Sequence, residues 1–223
     1  MDRAHVEEID DSTGRVLHTL KDLKLDRNTL VIFTSDNGAA SGMSSGPLRG
    51  GKGGPKYEGH MRVPTLAWWP GTIPAGSISK EIGVTTDLLP SLAKLTGSKV
   101  PDDRIIDGKD ISDVLLGKKD AQSQHQLHYY ENEGIRRGDW KLVKKGSRSE
   151  LYDLSKDPGE RKDLSRSHPE LVKELDRALQ KHAASIAANL RPAGFAKHPK
   201  PILREVGDLP TLKQYLVKQE QAP

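Results

Sequence analysis

One continuous apolar run, TLVIFT (residues 29–34), constrains the fold of this chain more than any other segment. Its residues do not alternate between apolar and polar, which is typical of a strand buried on both faces in a parallel sheet covered by helices. Over about residues 3–24, apolar residues recur every three or four positions and predict an amphipathic helix. Helix, polar turn and buried strand make half of an α/β unit, so we predict an α/β domain with TLVIFT as an interior strand.

Further segments extend this domain to about residue 120. VPTLAWWPG (residues 63–71) predicts a second strand, and TTDLLPSLAKLTG (residues 85–97) predicts a helix capped by its first threonines and ended by its glycine. DGKDISDVLLG (residues 107–117) predicts a short helix. Residues 35–60 are rich in glycine and serine, which indicates a long loop.

The pattern changes from about residue 124. The segments HQLHYY, GIRRGDWKLV and ELYDL predict short strands joined by turns, and a long amphipathic helix follows over about residues 169–189. We therefore predict a small antiparallel α+β subdomain over residues 121–190, docked on a first domain over residues 1–120 because the linker is short. Residues 191–223 are rich in proline and lysine and are predicted to form an extended tail.

Composition excludes several classes of site and partner. The chain has no cysteine, so disulfides, thiolate metal sites and a cysteine nucleophile are all excluded. The net charge of +4 is spread along the sequence, which indicates an ordinary solvated surface and no nucleic-acid partner. The longest apolar runs are too short to span a bilayer, and the first residues lack the apolar core of a signal peptide. The compartment therefore stays open.

Asp36 and Asn37 directly follow the TLVIFT strand. Ligands of open α/β sheets bind at the carboxyl ends of strands, and carboxylate and amide oxygens suit a hard cation such as calcium or magnesium. The sequence Asp-Asn-Gly is also favourable in a plain turn, and from the spacing alone that alternative stays open.

Lys52 lies between glycines in RGGKGG. Glycines let the backbone approach an anion closely, and a lysine ammonium can act as a point charge for phosphate or sulfate. The spacing of a nucleotide-binding P-loop is absent. A solvated surface lysine is the alternative.

The segments TLVIFTSDNG, GPLRGGKGG, YEGHMRVPTLAWWPGTIPAG, TTDLLPSLAKLTG, GDWKLV and ELYDLSKDPGERKDLS occur in this order over about residues 1–190. Together they resemble the C-terminal half of a type I sulfatase of the arylsulfatase kind, in the alkaline phosphatase superfamily. The resemblance implies an α/β fold: the C-terminal part of a sulfatase-type mixed or parallel sheet sandwich, followed by a small antiparallel α+β subdomain. It implies a sulfuric ester hydrolase acting on an aryl or carbohydrate sulfate, in a periplasmic, extracellular or lysosomal compartment.

The resemblance also implies roles for five residues. Asp36 and Asn37 match the second pair of calcium ligands, and Asp36 could also orient or activate the nucleophilic hydroxyl. Lys52 matches the lysine that contacts the sulfate, where it would neutralise charge together with the cation. Arg49 and His60 are further candidates for substrate binding; support of the loop is the favoured alternative for Arg49, and a tolerated loop residue is the alternative for His60. His60 stands where the family usually has glycine, which implies a permissive backbone at that position or a narrower pocket.

The family uses a formylglycine nucleophile made from cysteine or serine. Ser45 lies in SGPLR, which has the outline Ser/Cys-x-Pro-x-Arg of the nucleophile motif. It follows the Asp-Asn pair, however, where the family has its lysine loop, and the fourth position of the motif is Leu48 rather than a small residue. We therefore expect the nucleophile, the first calcium-ligand pair and a sulfate-contacting histidine in an N-terminal part not present here, and we expect the isolated chain to be inactive.

Other functions stay open at this point. One is an inactive remnant or a non-enzyme that binds anions, which the absence of a nucleophile motif favours. Another is a phosphatase or phosphonate hydrolase of the same superfamily, although a single Asp-Asn pair favours a one-calcium sulfatase over a two-zinc phosphatase. His125 and His128 could face one ligand, but a packing or surface role is favoured for the pair.

Overall fold

The computed structural model describes residues 2–190, so the predicted tail over 191–223 lies outside the described residues. Along the chain the elements are α1 (Asp2–Asp22), β1 (Val31–Thr34), α2 (Glu58–Met61), β2 (Thr65–Trp68), α3 (Leu88–Thr96), α4 (Ser112–Leu115), β3 (His128–Tyr130), β4 (Gly134–Arg137), β5 (Trp140–Lys145), β6 (Arg148–Asp153) and α5 (Pro169–Ala188). Single 3-10 turns occupy Asp26–Asn28 and Thr85–Asp87. This mixed α/β arrangement, with antiparallel sheets, confirms the predicted fold class.

The β1 strand pairs with β2 in an antiparallel ribbon, from Val31 opposite Trp68 to Thr34 opposite Thr65. The expectation that β1 is buried on both faces is wrong, because Phe33 retains 36% of its surface. Within the described residues, β2 is the sole partner of β1. The apolar run therefore has the sequence of an interior strand but only one neighbouring strand to pack beside.

Helix α1 confirms the periodicity read from the sequence. It ends near the predicted position, and Lys24 follows it in a left-handed conformation with φ 57°. Three of its apolar side chains remain about half exposed: Val6, Ile9 and Val16. The apolar face of α1 is thus largely uncovered in the described part of the chain. None of the helices between residues 2 and 190 is both long and apolar enough to cross a membrane.

Helix α3 differs from the prediction at its start and agrees with it at its end. A threonine cap was expected, but the Asp87 carboxylate instead accepts hydrogen bonds from Val84 N (2.9 Å) and Lys109 N (2.7 Å). Asp87 has no exposed surface. Its two carboxylate oxygens bind the main chain at residues 84 and 109 and so hold these two segments together at the start of α3. Gly97, with φ 71°, ends α3 in the left-handed conformation that glycine adopts readily.

The C-terminal sheet has the strand order β3-β4-β5-β6, with every pair antiparallel. One face packs against α5 around five buried residues: Ile135, Leu142, Leu151, Leu175 and Leu179. The opposite face buries Val143, Tyr152 and Leu154, against which Tyr57 packs from the segment before α2. The predicted sheet and helix are therefore present, and the first part of the chain covers the second face of the sheet. The domain boundary at residue 120 stays a prediction.

Candidate functional site

Asp36 and Asn37 lie in the loop directly after β1, as the sequence predicts. The Ser35 hydroxyl donates a hydrogen bond to the main-chain carbonyl of Asn37 (2.9 Å), which helps to shape this turn. Asp36 is exposed and Asn37 is half-buried. Neither side chain forms a hydrogen bond or ion pair with any other residue of the described range 2–190. Their oxygens are therefore available to a cation.

Lys52 lies at the exposed tip of a glycine loop that runs from residue 49 to residue 54. Gly50 and Gly53 have φ values of +86° and +113°, in the region that glycine adopts at low cost. The Lys52 side chain makes no hydrogen bond or ion pair with residues 2–190. The loop thus presents the unpaired ammonium of Lys52, and the glycines beside it keep the surrounding backbone free of side chains.

Main-chain hydrogen bonds join the two loops. Lys52 N donates to Ala39 O (2.7 Å), and Gly38 N donates to His60 O (2.9 Å). A side chain at Gly38 would collide with the carbonyl of Gly59, so the two backbones approach more closely than a Cβ atom permits. The structure therefore brings the Asp36–Asn37 segment and the Lys52 segment into direct contact.

Arg49 begins the glycine loop and points toward the C-terminal sheet. Its guanidinium donates hydrogen bonds to the hydroxyl of Tyr152 (3.1 Å) and the carbonyl of Glu160 (2.9 Å). It also lies over the ring of Tyr57, 3.8 Å from the centroid, in cation–π geometry. These contacts support the loop, whereas a direct contact between Arg49 and a substrate stays a prediction.

A buried ion cluster holds the other end of the loop, and sequence reasoning missed it. Lys141, Glu58 and Glu160 are 0%, 2% and 0% exposed. Lys141 Nζ lies 3.0 Å from Glu58 Oε1 and 2.8 Å from Glu160 Oε1. The second oxygen of Glu160 accepts a hydrogen bond from the main-chain N–H of Glu58 (2.7 Å). The cluster connects α2 to the C-terminal sheet.

The two carboxyls of the cluster differ electrostatically. Burial raises the pKa of Glu58, but Lys141, the Tyr130 hydroxyl and Arg136 outweigh it and lower that pKa overall. Tyr130 donates to Glu58 Oε1 at 2.6 Å, and Arg136 donates to Oε2 at 3.2 Å. Burial raises the pKa of Glu160, and Lys141 opposes that shift without cancelling it. Of the two carboxyls, Glu58 is therefore the one whose ionised form is stabilised by its surroundings.

His60 lies in the single helical turn α2 and does not have a positive φ. The backbone at this position accepts a side chain, as the expectation of a permissive backbone requires, and a narrower pocket stays a prediction. Its Nδ1 atom accepts hydrogen bonds from the main-chain N–H groups of Lys56 and Tyr57, both at 3.2 Å. Burial and the nearby cations Lys141 and Arg49 lower the pKa of His60. A contact between His60 and a substrate stays a prediction.

Ser45 contacts the loop backbone rather than a general base. It is half-buried, and its hydroxyl donates to the main-chain carbonyl of Gly59 at 3.4 Å. A serine nucleophile needs a neighbouring base to accept its proton. This contact favours the interpretation of Ser45 as part of the loop scaffold.

The donor set for a cation is incomplete in the described chain. No group of three or more His, Cys, Asp or Glu side chains within residues 2–190 is arranged to hold a metal ion. A calcium ion takes about six to eight oxygen ligands. The free oxygens of Asp36 and Asn37 fit such an ion in chemistry and would supply part of its shell.

His125 and His128 pack together, as favoured from the sequence. Their ring centroids lie 5.2 Å apart, and His125 Nε2 lies 2.7 Å from an oxygen of buried Asp87. Burial, followed by the charges of His125 and Arg136, lowers the pKa of His128 to about 4. This histidine pair forms a second contact between the C-terminal subdomain and the first part of the chain.

Two family models match this chain, and their matches overlap over residues 55–98. A model described as Sulfatase matches residues 3–98, and one described as N-sulphoglucosamine sulphohydrolase, C-terminal, matches residues 55–185. The chain is 42% identical over 137 residues to N-acetylgalactosamine-6-sulfatase of Canis lupus familiaris, covering 58% of this chain and 26% of that protein. It is 33% identical over 249 residues to steryl-sulfatase of Mus musculus, covering 89% of this chain and 39% of that protein.

Solved structures agree with these matches. The crystal structure of Ps i-CgsB in complex with k-i-k-neocarrahexaose superposes with a TM-score of 0.72 at 29% identity, covering 84% of this chain and 43% of that one. The PsFucS1 sulfatase from Pseudoalteromonas sp. superposes with a TM-score of 0.71 at 26% identity, covering 82% and 42%. The chain thus spans about a quarter of the N-acetylgalactosamine-6-sulfatase length and less than half of these solved chains.

Proposed function

The chain belongs to the sulfatase family, and from this premise we propose that it forms the part of a sulfuric ester hydrolase that holds the cation and the sulfate group. The main-chain hydrogen bond from Lys52 N to Ala39 O carries the proposal. Because of this bond, the lysine loop and the loop of Asp36 and Asn37 share one surface at the end of β1. One cationic group and two free oxygen ligands there match the needs of a sulfate ester bound beside a cation.

Each of these side chains has a defined chemical role in the proposal. Cleavage of a sulfate ester transfers the sulfuryl group to a nucleophile, and negative charge develops on the departing alcohol oxygen. Lys52 contacts the sulfate oxygens as a flexible point charge. Asp36 and Asn37 hold calcium, which when bound supplies further charge neutralisation. The Asp36 carboxylate also orients the nucleophilic hydroxyl.

The nucleophile itself comes from outside these 223 residues. A formylglycine made from cysteine has no precursor here, because the sequence contains no cysteine. Ser45 donates its hydroxyl to a main-chain carbonyl, and no side-chain base accepts a hydrogen bond from it in the described residues. We therefore propose that a formylglycine, the remaining calcium ligands and a further sulfate contact belong to another segment of the complete enzyme.

A carbohydrate sulfate is the substrate class that the comparisons favour. Relatives named N-acetylgalactosamine-6-sulfatase are 42–47% identical over 118–137 residues, and those named steryl-sulfatase are 31–40% identical over 137–249 residues. The solved structure of Ps i-CgsB with bound k-i-k-neocarrahexaose adds a carbohydrate complex to this group. A periplasmic, extracellular or lysosomal location, which the family resemblance implies, remains a prediction.

Titration of the 223-residue chain with sulfate tests the proposed site. Amide resonances of the glycine loop are followed by NMR with and without calcium, for the wild type, Lys52→Ala and Lys80→Ala. Lys80 is exposed and its side chain makes no hydrogen bond or ion pair with other described residues, so it is the matched control. We expect sulfate to shift the loop resonances in the wild type and in Lys80→Ala but not in Lys52→Ala. Equal binding by Lys52→Ala would contradict the assignment of the lysine.

The alternative functions predict other outcomes. A two-zinc phosphatase needs additional His and Asp ligands, and residues 2–190 do not arrange such a group. Preferential binding of phosphate over sulfate, strengthened by zinc, would nevertheless favour that alternative. A non-enzyme would bind sulfate with the same Lys52 dependence but give no turnover when the missing sulfatase segment is supplied.

A further inference from the structure

We propose that His60 is a positioning residue that connects the two loops of the site. Its imidazole ring shapes the glycine loop of Lys52, and its main-chain carbonyl holds the loop of Asp36 and Asn37. The proposal depends on the proposed function only for the identity of the ligands that the two loops bind. The connection itself follows from the contacts of His60.

The polar atoms of His60 bind both loops. Nδ1 accepts hydrogen bonds from Lys56 N and Tyr57 N, each at 3.2 Å, which closes the C-terminal end of the lysine loop. The carbonyl of His60 accepts the N–H of Gly38 at 2.9 Å, one residue after Asn37. A single residue therefore holds the backbone on either side of the site.

The ring of His60 also fills the space under the glycine loop. A Cβ atom added to Gly54 would lie 2.7 Å from Cε1 and 2.9 Å from Nδ1 of the ring. A Cβ atom added to Gly50 would collide with Nε2 and Cδ2 on the other edge. The ring is thus wedged between two glycines that flank Lys52, and each must lack a side chain for the ring to fit.

The hydrogen bonds assign the tautomer of the ring. Two N–H donors face Nδ1, so Nδ1 must carry a lone pair and the proton of the neutral ring must be on Nε2. Protonation of Nδ1 would place a third donor against the same two N–H groups. The charged groups that act on the ring are the cations Arg49, Lys56 and Lys141, which also oppose protonation.

Two substitutions separate the acceptor at Nδ1 from the rest of the ring. An asparagine side chain can place its amide oxygen near the position of Nδ1, whereas the longer glutamine side chain reaches toward the position of Nε2. His60→Asn should therefore keep the bonds from Lys56 N and Tyr57 N, and His60→Gln should lose them. Both variants keep the main-chain carbonyl that binds Gly38.

The experiment compares the full 223-residue wild type, His60→Asn and His60→Gln by NMR. In the wild type, long-range nitrogen–proton spectra should show the neutral tautomer protonated on Nε2. Exchange of the Tyr57 and Lys52 amides with solvent should accelerate about three- to tenfold in His60→Gln and change little in His60→Asn. Exchange of the Leu142 and Leu151 amides in the C-terminal sheet should stay unchanged, which shows that the fold is retained. Titration with inorganic sulfate should show weaker binding by His60→Gln than by His60→Asn.

A tautomer protonated on Nδ1, or equal exchange of the loop amides in both variants, would overturn the proposal. The tautomer is measured on the wild type, so this result does not depend on whether a variant folds. If the exchange rates differ as expected and no form of the chain binds sulfate, His60 is confirmed as positioning the loop and the proposed function fails. If sulfate binds equally to both variants while exchange differs, the role of His60 at the site is overturned and the proposed function stands.

Discussion

The ammonium of Lys141 and the carboxylate of Glu160 form an ion pair of 2.8 Å in which neither side chain has any exposed surface. The pair extends to Glu58, whose N–H and carboxylate both contact it. Glu58 lies six residues after Lys52, so the buried pair anchors the C-terminal end of the lysine loop on the C-terminal sheet. The subdomain thereby supports the loop that carries Lys52.

Lys141→Met should destabilise the chain by about 3–5 kcal/mol, because it leaves two buried carboxylates without their shared cation. Lys145→Met is the matched control, since Lys145 lies on the same strand and pairs with Glu150 while its own side chain is 61% exposed. The control should lose less than about 1 kcal/mol. Urea unfolding followed by circular dichroism measures both free energies of unfolding. Equal losses of unfolding free energy in the two variants would show that the buried ion pair of Lys141 stabilises the chain no more than the pair of Lys145.

Sequence reasoning located the loops because hydrophobic patterns mark where a strand ends and glycines mark where a loop begins. It could not find the buried cluster. Lys141 lies in the strand segment WKLVKK, where a polar residue beside Leu142 indicates the solvent face of an antiparallel sheet. That face is covered here by residues about 80 positions earlier in the chain, and only the tertiary fold brings Glu58 and Glu160 to it.

The burial of β1 could likewise not be predicted from the sequence, but here the sequence indicates more burial than the described residues provide. Its apolar run indicates burial on both faces, yet Phe33 and Leu66 are 36% and 61% exposed. A hydrophobic pattern reports the environment in which a sequence functions, including neighbours that lie on other segments. The pattern of β1 predicts an interior strand, whereas the described residues provide only β2 beside it.

The stability of the chain should depend on pH through His128. Its pKa is lowered from an ordinary value of 6.5 to about 4, by burial first, with His125 and Arg136 adding to the shift and Asp87 and Glu58 opposing it. In the unfolded chain His128 is therefore protonated near pH 6.5, whereas in the folded chain it is protonated only near pH 4. The contribution is fully present above pH 6.5 and is lost as the pH falls toward 4, by roughly 3 kcal/mol in total at about 1.4 kcal/mol per pH unit.

Urea unfolding at several pH values, for the wild type and His128→Asn, checks this dependence. Other groups titrate in both proteins, so the quantity of interest is the difference between their free energies of unfolding. As the pH falls from 7 to 4, the free energy of unfolding of the wild type should decrease more than that of His128→Asn. A difference that is constant over this interval would contradict the role given to His128.

Gly54→Ala should destabilise the chain by about 1–3 kcal/mol, because the added methyl group would lie 2.7 Å from the His60 ring. Removal of the ring should relieve the clash. In the double variant Gly54→Ala with His60→Gly, the total loss should therefore be smaller than the sum of the two single losses. Unfolding free energies of the four proteins complete the cycle. Additive losses would show that Gly54 and His60 do not share the space under the lysine loop.

The 223-residue chain alone should not hydrolyse a chromogenic aryl sulfate, even when it is produced in a host that makes formylglycine. It has no cysteine to convert, and Ser45, the serine whose surroundings partly match the nucleophile motif, donates its hydroxyl to the carbonyl of Gly59. Asp36 and Asn37 would supply only part of the about six to eight oxygens that calcium takes, so we expect the chain alone to bind the cation weakly. When the N-terminal half of a related sulfatase is supplied in trans, we expect turnover in the wild type and a loss of at least about a hundredfold in Lys52→Ala, as for loss of a group that stabilises developing charge. Turnover by the chain alone that survives purification and disappears in Ser45→Ala would instead make Ser45 the nucleophile, and the loop of Lys52 would then have to carry both the attacking group and the charge that receives the sulfate.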